Sequence, residues 1–259
     1  MPYESVRMPK AKTVSHGMSV PTPRGMSTGY KSRPKDWQGF GESFSVRIPQ
    51  SEWQDRIQER ENLKVTNRDI KSRFSIESLD QNGTNYCWTN APIQSLHYLQ
   101  AKTHGRVRRF SPASVGSYIK NFRNVGGWGN ESLERIIESG CNEISDWPAN
   151  AIKRQYATPE NQEKAQLNRV TEWYDLPRRD FDAMASALLL GHTVAIGLNW
   201  WGHEVLAIDL AVQSGKFVVV IDNSWGSRWG DNGLGILSQS KATPDDAVSP
   251  RVLTPRGAK

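Results

Sequence analysis

A chain of 259 residues can form one large domain or two modest ones, each with a buried core. Hydrophobic residues make up 37% of the chain and ten residues are tryptophan, a composition typical of a globular protein with a polar surface. The longest apolar run, at about 185–190, is far shorter than the ~20 residues of a membrane-spanning helix, so no membrane contact is predicted. No apolar stretch follows the first charges, which predicts no secretory signal.

The formal net charge of +6 lies in the N-terminal arm. Residues 1–35 contain seven basic side chains and one acidic one, whereas the remaining chain contains 26 of each sign. The segment 1–45 is rich in Pro, Gly and Ser and lacks helical or strand periodicity, which predicts an extended or disordered arm. Such an arm can bind an assembly partner or an anionic surface such as nucleic acid, although a solvated tail is the commoner role.

Cysteine content indicates the compartment. Two cysteines are too few for a disulfide scaffold, and with no signal this favours a cytoplasmic protein or one within an intracellularly assembled particle. No pair of Cys or His residues has the spacing of metal ligands, so no metal or other cofactor is predicted.

Apolar periodicity predicts helices in the first part of the chain and strands in the second. Helices are predicted at 86–102, 132–139 and 180–190. Short β-branched runs predict strands at 193–198, 204–212, 216–222 and 233–237, with Ser214-Gly215 as a hairpin turn. Helices followed by antiparallel strands indicate an α+β fold with two lobes.

The same patterns predict the domain boundaries. The arm covers 1–45, a domain covers 46–240, and 241–259 form a C-terminal tail. Within the domain, a helical lobe is expected at about 80–165 and a β lobe at about 166–240.

Chemistry is suggested by residues around Cys87. A free cysteine is most often buried and inert, so Cys87 alone indicates little. Its spacing to other residues is more informative. The relevant segments are Gln81 six residues earlier, Cys87-Trp88, Gly126-Gly127, His203 at a strand start, Asn223-Ser224-Trp225-Gly226, and Trp229-Gly230 through Gly233.

At these residues the chain resembles the papain-like cysteine peptidases, over about residues 48–240. The resemblance implies a two-lobed fold with a helical lobe that carries the Cys helix and a β lobe that carries His and Asn. It implies that Cys87 is the nucleophile, His203 the base, Asn223 the residue that orients His203, and Gln81 an oxyanion donor. Trp225 and Trp229 would shield the triad from water, although simple core packing also explains both. His192, at a helix end, is the competing histidine and is better explained as structural.

The expected chemistry follows from thiol acidity. A thiol with a pKa of about 8.5 is only a few per cent thiolate at neutral pH. A helix N-terminus and an imidazolium both favour the anion, so Cys87 is expected to open its helix and to face His203. The reaction would be hydrolysis of a polypeptide through an acyl-thioester on Cys87, with His203 as general base and acid.

Several residues are expected to bind substrate. Gly126 and Gly127 would leave their backbone free to pair with a substrate strand. Trp128, Val194 and Trp201 are candidate pocket walls. Glu204 has two alternative roles: it selects a basic side chain, or it forms a salt bridge that closes the pocket.

The sequence departs from the family pattern at several positions. Thr84 and Asn124 stand where the family has a disulfide, which agrees with a reducing compartment. Pro92 lies within the Cys helix, where it removes a backbone donor and could delay the start of the regular helix. The first 45 residues lack the helical inhibitory prosegment of the family.

These departures keep a second function open. The first hypothesis is a cysteine endopeptidase. The alternative is a papain-like domain that serves as a structural or interaction component of a larger assembly, such as a virus particle, with reduced or no turnover. A third hypothesis is nucleic-acid binding through the arm.

Overall fold

The computed structural model describes residues 13–14, 26–37 and 39–253. The strands in this part of the chain are β1 (Thr13–Val14), β2 (Glu42–Ser43), β3 (Val170–Leu176), β4 (Val194–Leu198), β5 (His203–Gln213), β6 (Lys216–Asp222), β7 (Leu234–Ser238) and β8 (Asp246–Leu253). They form one sheet in the order β1-β7-β6-β5-β4-β8-β3-β2. The short edge strands β1 and β2 pair parallel to β7 and β3, and the other neighbours pair antiparallel.

Helices flank this sheet. They are α1 (Gln50–Asn62), α2 (Asn67–Arg73), α3 (Cys87–His104), α4 (Pro112–Ile119), α5 (Gly129–Ser139), α6 (Pro159–Gln166), α7 (Phe181–Leu189) and α8 (Gln239–Ala242). The predicted helices correspond to α3, α5 and α7, and the predicted strands to β4–β7. The α+β fold predicted from sequence is therefore confirmed.

Two hydrophobic cores lie on opposite faces of the sheet. On β5, Leu206 and Ile208 join the core beneath α3, whereas Val205 and Ala207 join the core beneath α1 and α7. This alternation follows from the two-residue period of a strand. Because both faces are covered, the central strands are continuous apolar runs.

Four strands of the sheet were not predicted, the two-residue edge strands β1 and β2 and the longer strands β3 and β8. In β3, Val170 and Trp173 are both buried although they are three residues apart, because the pairing with β8 shifts register between them. β8 lies in the range 241–259, which was expected to be a tail, and it pairs with β4 and β3. Pro250 and Arg251 interrupt its apolar pattern, so its strand conformation depends on these neighbours.

Part of the N-terminal arm packs against the domain. Residues 1–12 and 15–25 of the predicted arm lie outside the described residues. Phe44 is buried in the core beneath α7. Arg33 is also buried, with ion pairs to Asp175 at 2.6 Å and Asp246 at 3.3 Å. In the range 26–45, the described residues therefore include segments that pack against the domain, unlike the extended or disordered arm that composition predicted.

Pro92 is accommodated without delaying the start of α3. The helix begins at Cys87, and the Tyr86 carbonyl accepts the N–H of Asn90 at 2.9 Å. Because Pro92 lacks an N–H, it cannot donate to the Trp88 carbonyl four residues earlier. The Ser132 hydroxyl of α5 donates to that carbonyl instead, at 2.9 Å.

A buried carboxylate connects α2 and α3 to the end of β6. Asp222 accepts hydrogen bonds from Lys71 Nζ at 3.0 Å, Gln94 Nε2 at 3.1 Å and the Tyr98 hydroxyl at 2.7 Å. The Ser78 hydroxyl is a further donor. Lys71 and Asp222 are both buried, so each requires the charge of the other.

We expect Asp222→Asn to lower the free energy of unfolding by about 3 kcal/mol, because it leaves the Lys71 ammonium buried without a countercharge. Urea denaturation measures this loss. The control is Glu160→Ala, which breaks a solvent-exposed pair with Lys164 and is expected to cost far less, because exposed ion pairs contribute little to stability. Equal small losses in both variants would contradict the proposed importance of this carboxylate.

Candidate active site

Cys87 is the first residue of α3 and is completely buried. Burial raises the pKa of its thiol and the nearby Glu204 carboxyl raises it further, while the backbone N–H groups of Glu204, Trp88 and Tyr30 favour the thiolate. Because burial dominates, Cys87 is a neutral thiol at neutral pH in this conformation.

His203 begins β5 and is held by Asn223 at the end of β6. Its Nε2 lies 2.8 Å from Asn223 Oδ1, which also accepts the backbone N–H of Ser224 at 2.8 Å. Because Asn223 Oδ1 can only accept a hydrogen bond, the proton of the neutral imidazole must be on Nε2. Nδ1 is then the free base, and it has no hydrogen-bond partner among the described residues. Burial lowers the pKa of His203 to about 4, so this base is unprotonated at neutral pH.

Aromatic rings surround this imidazole. Trp225 stacks on His203 with ring centroids 4.8 Å apart, and Trp201 contacts it edge-on at 5.0 Å. Trp229 contacts Trp225 at 5.9 Å, so it supports the stacking ring. Trp200 stacks on the outer side of Trp201 at 5.3 Å. The rings exclude water from the bond between His203 and Asn223. The competing His192 instead packs against Phe44 and Tyr174.

Gln81 has a fixed orientation beside the Cys87 helix. Its Oε1 accepts the Ser224 hydroxyl at 2.5 Å, and its Nε2 donates to the Thr84 carbonyl at 2.8 Å. The second proton of Nε2 donates to the carbonyl of Ser27 at 2.8 Å. Trp225 Nε1 donates to the same carbonyl at 3.1 Å. A peptide carbonyl from the N-terminal segment therefore occupies the position where Gln81 was expected to bind an oxyanion.

Residues 27–31 of this chain fill the cleft beside Cys87. The N–H groups of Gly29 and Tyr30 donate to the Gly202 carbonyl at 3.1 and 3.0 Å. Gly127 accepts the N–H of Lys31 at 2.8 Å and donates to the Gly29 carbonyl at 3.0 Å, which forms a parallel β-bridge with Tyr30. The backbone of Gly127 thus pairs with a strand, as expected for a substrate, but the strand belongs to the same chain.

Small residues permit this close backbone approach. A Cβ on Gly29 would lie 2.1 Å from the carbonyl oxygen of Asn85. A Cβ on Gly126 would lie 2.1 Å from the carbonyl oxygen of Gly29. Gly126 therefore makes room for the strand, while Gly127 supplies the hydrogen bonds.

The predicted pocket walls lie in different places. Trp128 packs against the cluster of Tyr30, Cys87 and Trp88. Val194 does not line the cleft, because it points into the core beneath α7 on the opposite face of the sheet. Trp201 covers His203, as described above.

Glu204 is buried beside the filled cleft. It forms no ion pair within the described residues, and neither carboxylate oxygen meets a hydrogen-bond donor there with bonding geometry. Burial raises the pKa of Glu204 well above its ordinary value, and the nearby Asp246 carboxylate raises it further. Burial therefore favours the protonated form of Glu204, and the predicted salt bridge is absent from the described residues.

Hydrogen bonds join the two segments that the family pattern would link by a disulfide. Asn124 Oδ1 accepts the N–H of Asn85 at 2.6 Å, and Asn124 Nδ2 donates to the Gly83 carbonyl at 3.1 Å. Both cysteines are free, and Cys141 is buried with its thiol 3.5 Å from the Asn168 carbonyl.

Three residues at the site were missed from the sequence. Tyr30 lies in the cleft, Asp246 bonds to its hydroxyl at 2.7 Å, and Gly197 packs against its ring. The one available signal was that Tyr30 is the only aromatic residue between positions 4 and 36 of a segment otherwise rich in small and polar residues. Asp246 had no signal, because its range was expected to be a tail.

Within the described ranges, no group of three or more His, Cys, Asp or Glu side chains could hold a metal ion. In the same ranges, no helix has the length and apolar character to cross a membrane.

Several known proteins are similar to this chain in sequence or in fold. No family model matches the chain. The probable cysteine protease RDL2 of Arabidopsis thaliana is 24% identical over 64% of this chain and 52% of that protein. Zingipain-2 of Zingiber officinale is 23% identical over 64% of this chain and 83% of that protein. The matched region thus spans about half the length of the first relative.

A solved structure shows the same fold. Digestive procathepsin L 3 of Tenebrio molitor larval midgut superposes with a TM-score of 0.61 at 17% identity, over 88% of this chain and 75% of that one. At this identity the likeness concerns the fold alone. The first relative is named a probable cysteine protease. This chain is thus similar to the papain-like cysteine proteases in sequence and in fold.

Proposed function

We propose that this chain is a cysteine peptidase that hydrolyses peptide bonds through an acyl-thioester on Cys87. The observation that carries the proposal is the state of His203. Its Nε2–H is held by Asn223, and its unpaired Nδ1 is free to accept a proton. Cys87 supplies a thiol at the start of α3, where the helix dipole favours a thiolate.

Each residue then has a defined step. His203 Nδ1 takes the thiol proton, and the thiolate attacks the substrate carbonyl carbon. Gln81 Nε2–H and the Cys87 backbone N–H stabilise the oxyanion, a contribution of roughly 2.7–4 kcal/mol for each donor. The imidazolium gives its proton to the departing amine, leaving an acyl-thioester. Neutral His203 then removes a proton from water, which attacks the thioester, and the proton returns to the Cys87 sulfur as the acid is released.

Residues 27–31 must leave the cleft before a substrate can bind. They occupy the hydrogen-bonding groups of Gln81, Gly127 and Gly202. They also place the backbone N–H of Tyr30 where it hydrogen-bonds to the Cys87 sulfur. The conformation described here is therefore proposed to be a closed form of the peptidase.

The alternative role in a larger assembly has less support. The matched relatives are named as proteases, and residues 1–12 and 15–25 of the arm lie outside the described residues. Binding of residues 1–35 to an assembly partner or an anionic surface stays a prediction, as does the cellular location. Arg33 contributes less to such a surface than its charge suggests, because it is buried in ion pairs.

We expect Cys87→Ala to abolish both peptide cleavage and covalent labelling by a thiol-directed epoxide, because it removes the nucleophile. Cys141→Ala is the matched control and should keep both, since Cys141 lies in the core beneath α3. Mass spectrometry of the labelled peptide identifies the modified residue. Labelling of Cys141 alone, or cleavage that survives in Cys87→Ala, would rule out the proposed nucleophile.

We expect Tyr30→Ala to raise the rate of epoxide labelling at pH 7 by at least about tenfold. Loss of the Tyr30 ring and of its hydrogen bond should release the segment and admit water to Cys87. Hydration lowers the pKa of the Cys87 thiol and raises the pKa of the His203 imidazole. Both changes favour the reactive thiolate–imidazolium pair over the neutral thiol–imidazole pair. The control is Lys35→Ala, which changes an exposed residue just beyond residues 27–31 and should leave the labelling rate unchanged.

NMR titration of the imidazole provides a second measurement of the same opening. In the unaltered chain, His203 should take up a proton only near pH 4, because burial lowers its pKa to about 4. In Tyr30→Ala the transition should move toward the ordinary value of about 6.5. An unchanged titration together with an unchanged labelling rate would show that the segment does not close the site.

A further inference from the structure

We propose that the pocket filled by Tyr30 is a tyrosine-selective recognition pocket, in which Asp246 accepts the phenol hydroxyl of the bound side chain. Its role in choosing a substrate rests on the proposed peptidase function. The substrates would then be polypeptides that place a tyrosine beside the cleaved bond. Tyr30 is the occupant that the chain itself provides.

The present occupant matches the pocket along its whole length. Tyr30 is 6% exposed, and its ring lies in a cluster with Cys87 and Trp88. At the far end its hydroxyl donates to Asp246 Oδ2 at 2.7 Å. The pocket therefore accommodates both the ring and the hydroxyl of a tyrosine. A pocket shaped only for an aliphatic side chain would lack a partner for the hydroxyl.

Gly197 makes room for an aromatic ring. A Cβ at this position of β4 would lie 2.2 Å from Tyr30 Cε2 and 2.4 Å from Cζ. Its backbone has no left-handed conformation that would itself require glycine. The absence of a side chain is thus explained by the ring that lies over it.

The acceptor at the end of the pocket is held by the domain itself. Asp246 is the register partner of Gly197 in the pairing of β4 with β8, so ring space and acceptor are adjacent. Arg178 Nε lies 2.9 Å from Asp246 Oδ1. Arg33, which belongs to the N-terminal segment, also approaches Oδ1, at 3.3 Å. When that segment leaves, Arg178 still holds the carboxylate with Oδ2 free to accept a hydroxyl.

The electrostatics favour a phenol over a basic side chain. Glu204 lies beside the pocket without an ion pair in the described structure, and its burial raises the pKa of its carboxyl, which disfavours the negative charge that a lysine or arginine would need. The carboxylate of Asp246 is already paired with guanidinium groups. A neutral donor such as the tyrosine hydroxyl satisfies Oδ2 without adding a further cation to a carboxylate that Arg178 already pairs with.

The pocket should also discriminate against phenylalanine. Asp246 Oδ2 accepts two hydrogen bonds, from the Tyr30 hydroxyl at 2.7 Å and from the backbone N–H of Arg33 at 3.0 Å. A phenylalanine would fill the ring space but remove the hydroxyl donor. Sites that hydrogen-bond a substrate hydroxyl reject the analogue that lacks it, because a buried acceptor then loses a partner. We expect at least about a tenfold preference for tyrosine.

The test measures binding, so it does not depend on turnover. The protein is the full chain with Tyr30→Ala and Cys87→Ala, which vacates the pocket and prevents cleavage. The probes are synthetic peptides with the sequence of residues 26–34, carrying Tyr, Phe, Leu or Lys at position 30. Fluorescence anisotropy should give a dissociation constant at least about tenfold lower for the Tyr peptide than for the Phe peptide. Equal affinities for Tyr and Phe, or tightest binding of the Lys peptide, would overturn the proposal.

Two further variants of the Tyr30→Ala, Cys87→Ala chain test separately the contribution of the ring space and that of the Asp246 acceptor. Gly197→Ala should weaken the Tyr and Phe peptides alike, because its Cβ enters the ring position. Asp246→Leu should remove the preference for Tyr over Phe. If Asp246→Leu fails to fold, Gly197→Ala and the four peptides still decide the outcome. The control is Gly83→Ala, whose Cβ would meet no atom within 4 Å.

Cleavage assays distinguish failure of this inference from failure of the proposed function. Full-chain Tyr30→Ala with Cys87 intact is given longer peptides that contain Tyr or Phe. Selective binding of Tyr peptides without cleavage of any peptide would contradict the peptidase and leave the pocket supported. Cleavage with no preference for Tyr would contradict the pocket and leave the peptidase supported.

Discussion

Asp222 carries a buried carboxylate that is shared by α2, through Lys71, and by α3, through Gln94 and Tyr98. Its neighbour in sequence is Asn223, the residue that holds His203. The carboxylate therefore connects the helix that begins with Cys87 to the strand end that orients the base. Since a buried ammonium and a buried carboxylate each destabilise the fold when unpaired, α2, α3 and β6 are held in one arrangement.

The filled cleft has a related cause, because buried polar groups require hydrogen-bond partners. Gln81, Gly127 and Gly202 present hydrogen-bonding groups to the cleft, and residues 27–31 satisfy them. Burial then acts in opposite directions on the two groups that we propose react, raising the pKa of Cys87 and lowering that of His203. Both changes favour the neutral pair over the ion pair. In the proposed closed form, residues 27–31 thus block the site and contribute to the burial that suppresses its ionisation.

Local patterns were sufficient to predict the elements with strong periodicity. The α3 helix and the β5–β6 hairpin have the apolar spacing and turn residues of their structures, so they were predicted close to their observed bounds. β3 and β8 were missed for physical reasons. A register shift breaks the two-residue burial pattern of β3, and β8 is a strand only through pairing with β4 and β3. Pairing partners far apart in sequence leave no local pattern.

The resemblance to the cysteine peptidases is visible in the sequence, because spaced motifs mark Cys87, His203, Asn223 and Gln81 without coordinates. Which side chains form the pocket depends on the tertiary structure. A strand turns alternate residues to opposite faces, so Val194 enters the far core while Gly197 faces the cleft. The tertiary structure also placed Tyr30 against Asp246, a contact between residues 216 positions apart. Contacts over such distances depend on the packing of the whole sheet, which no short segment of sequence encodes.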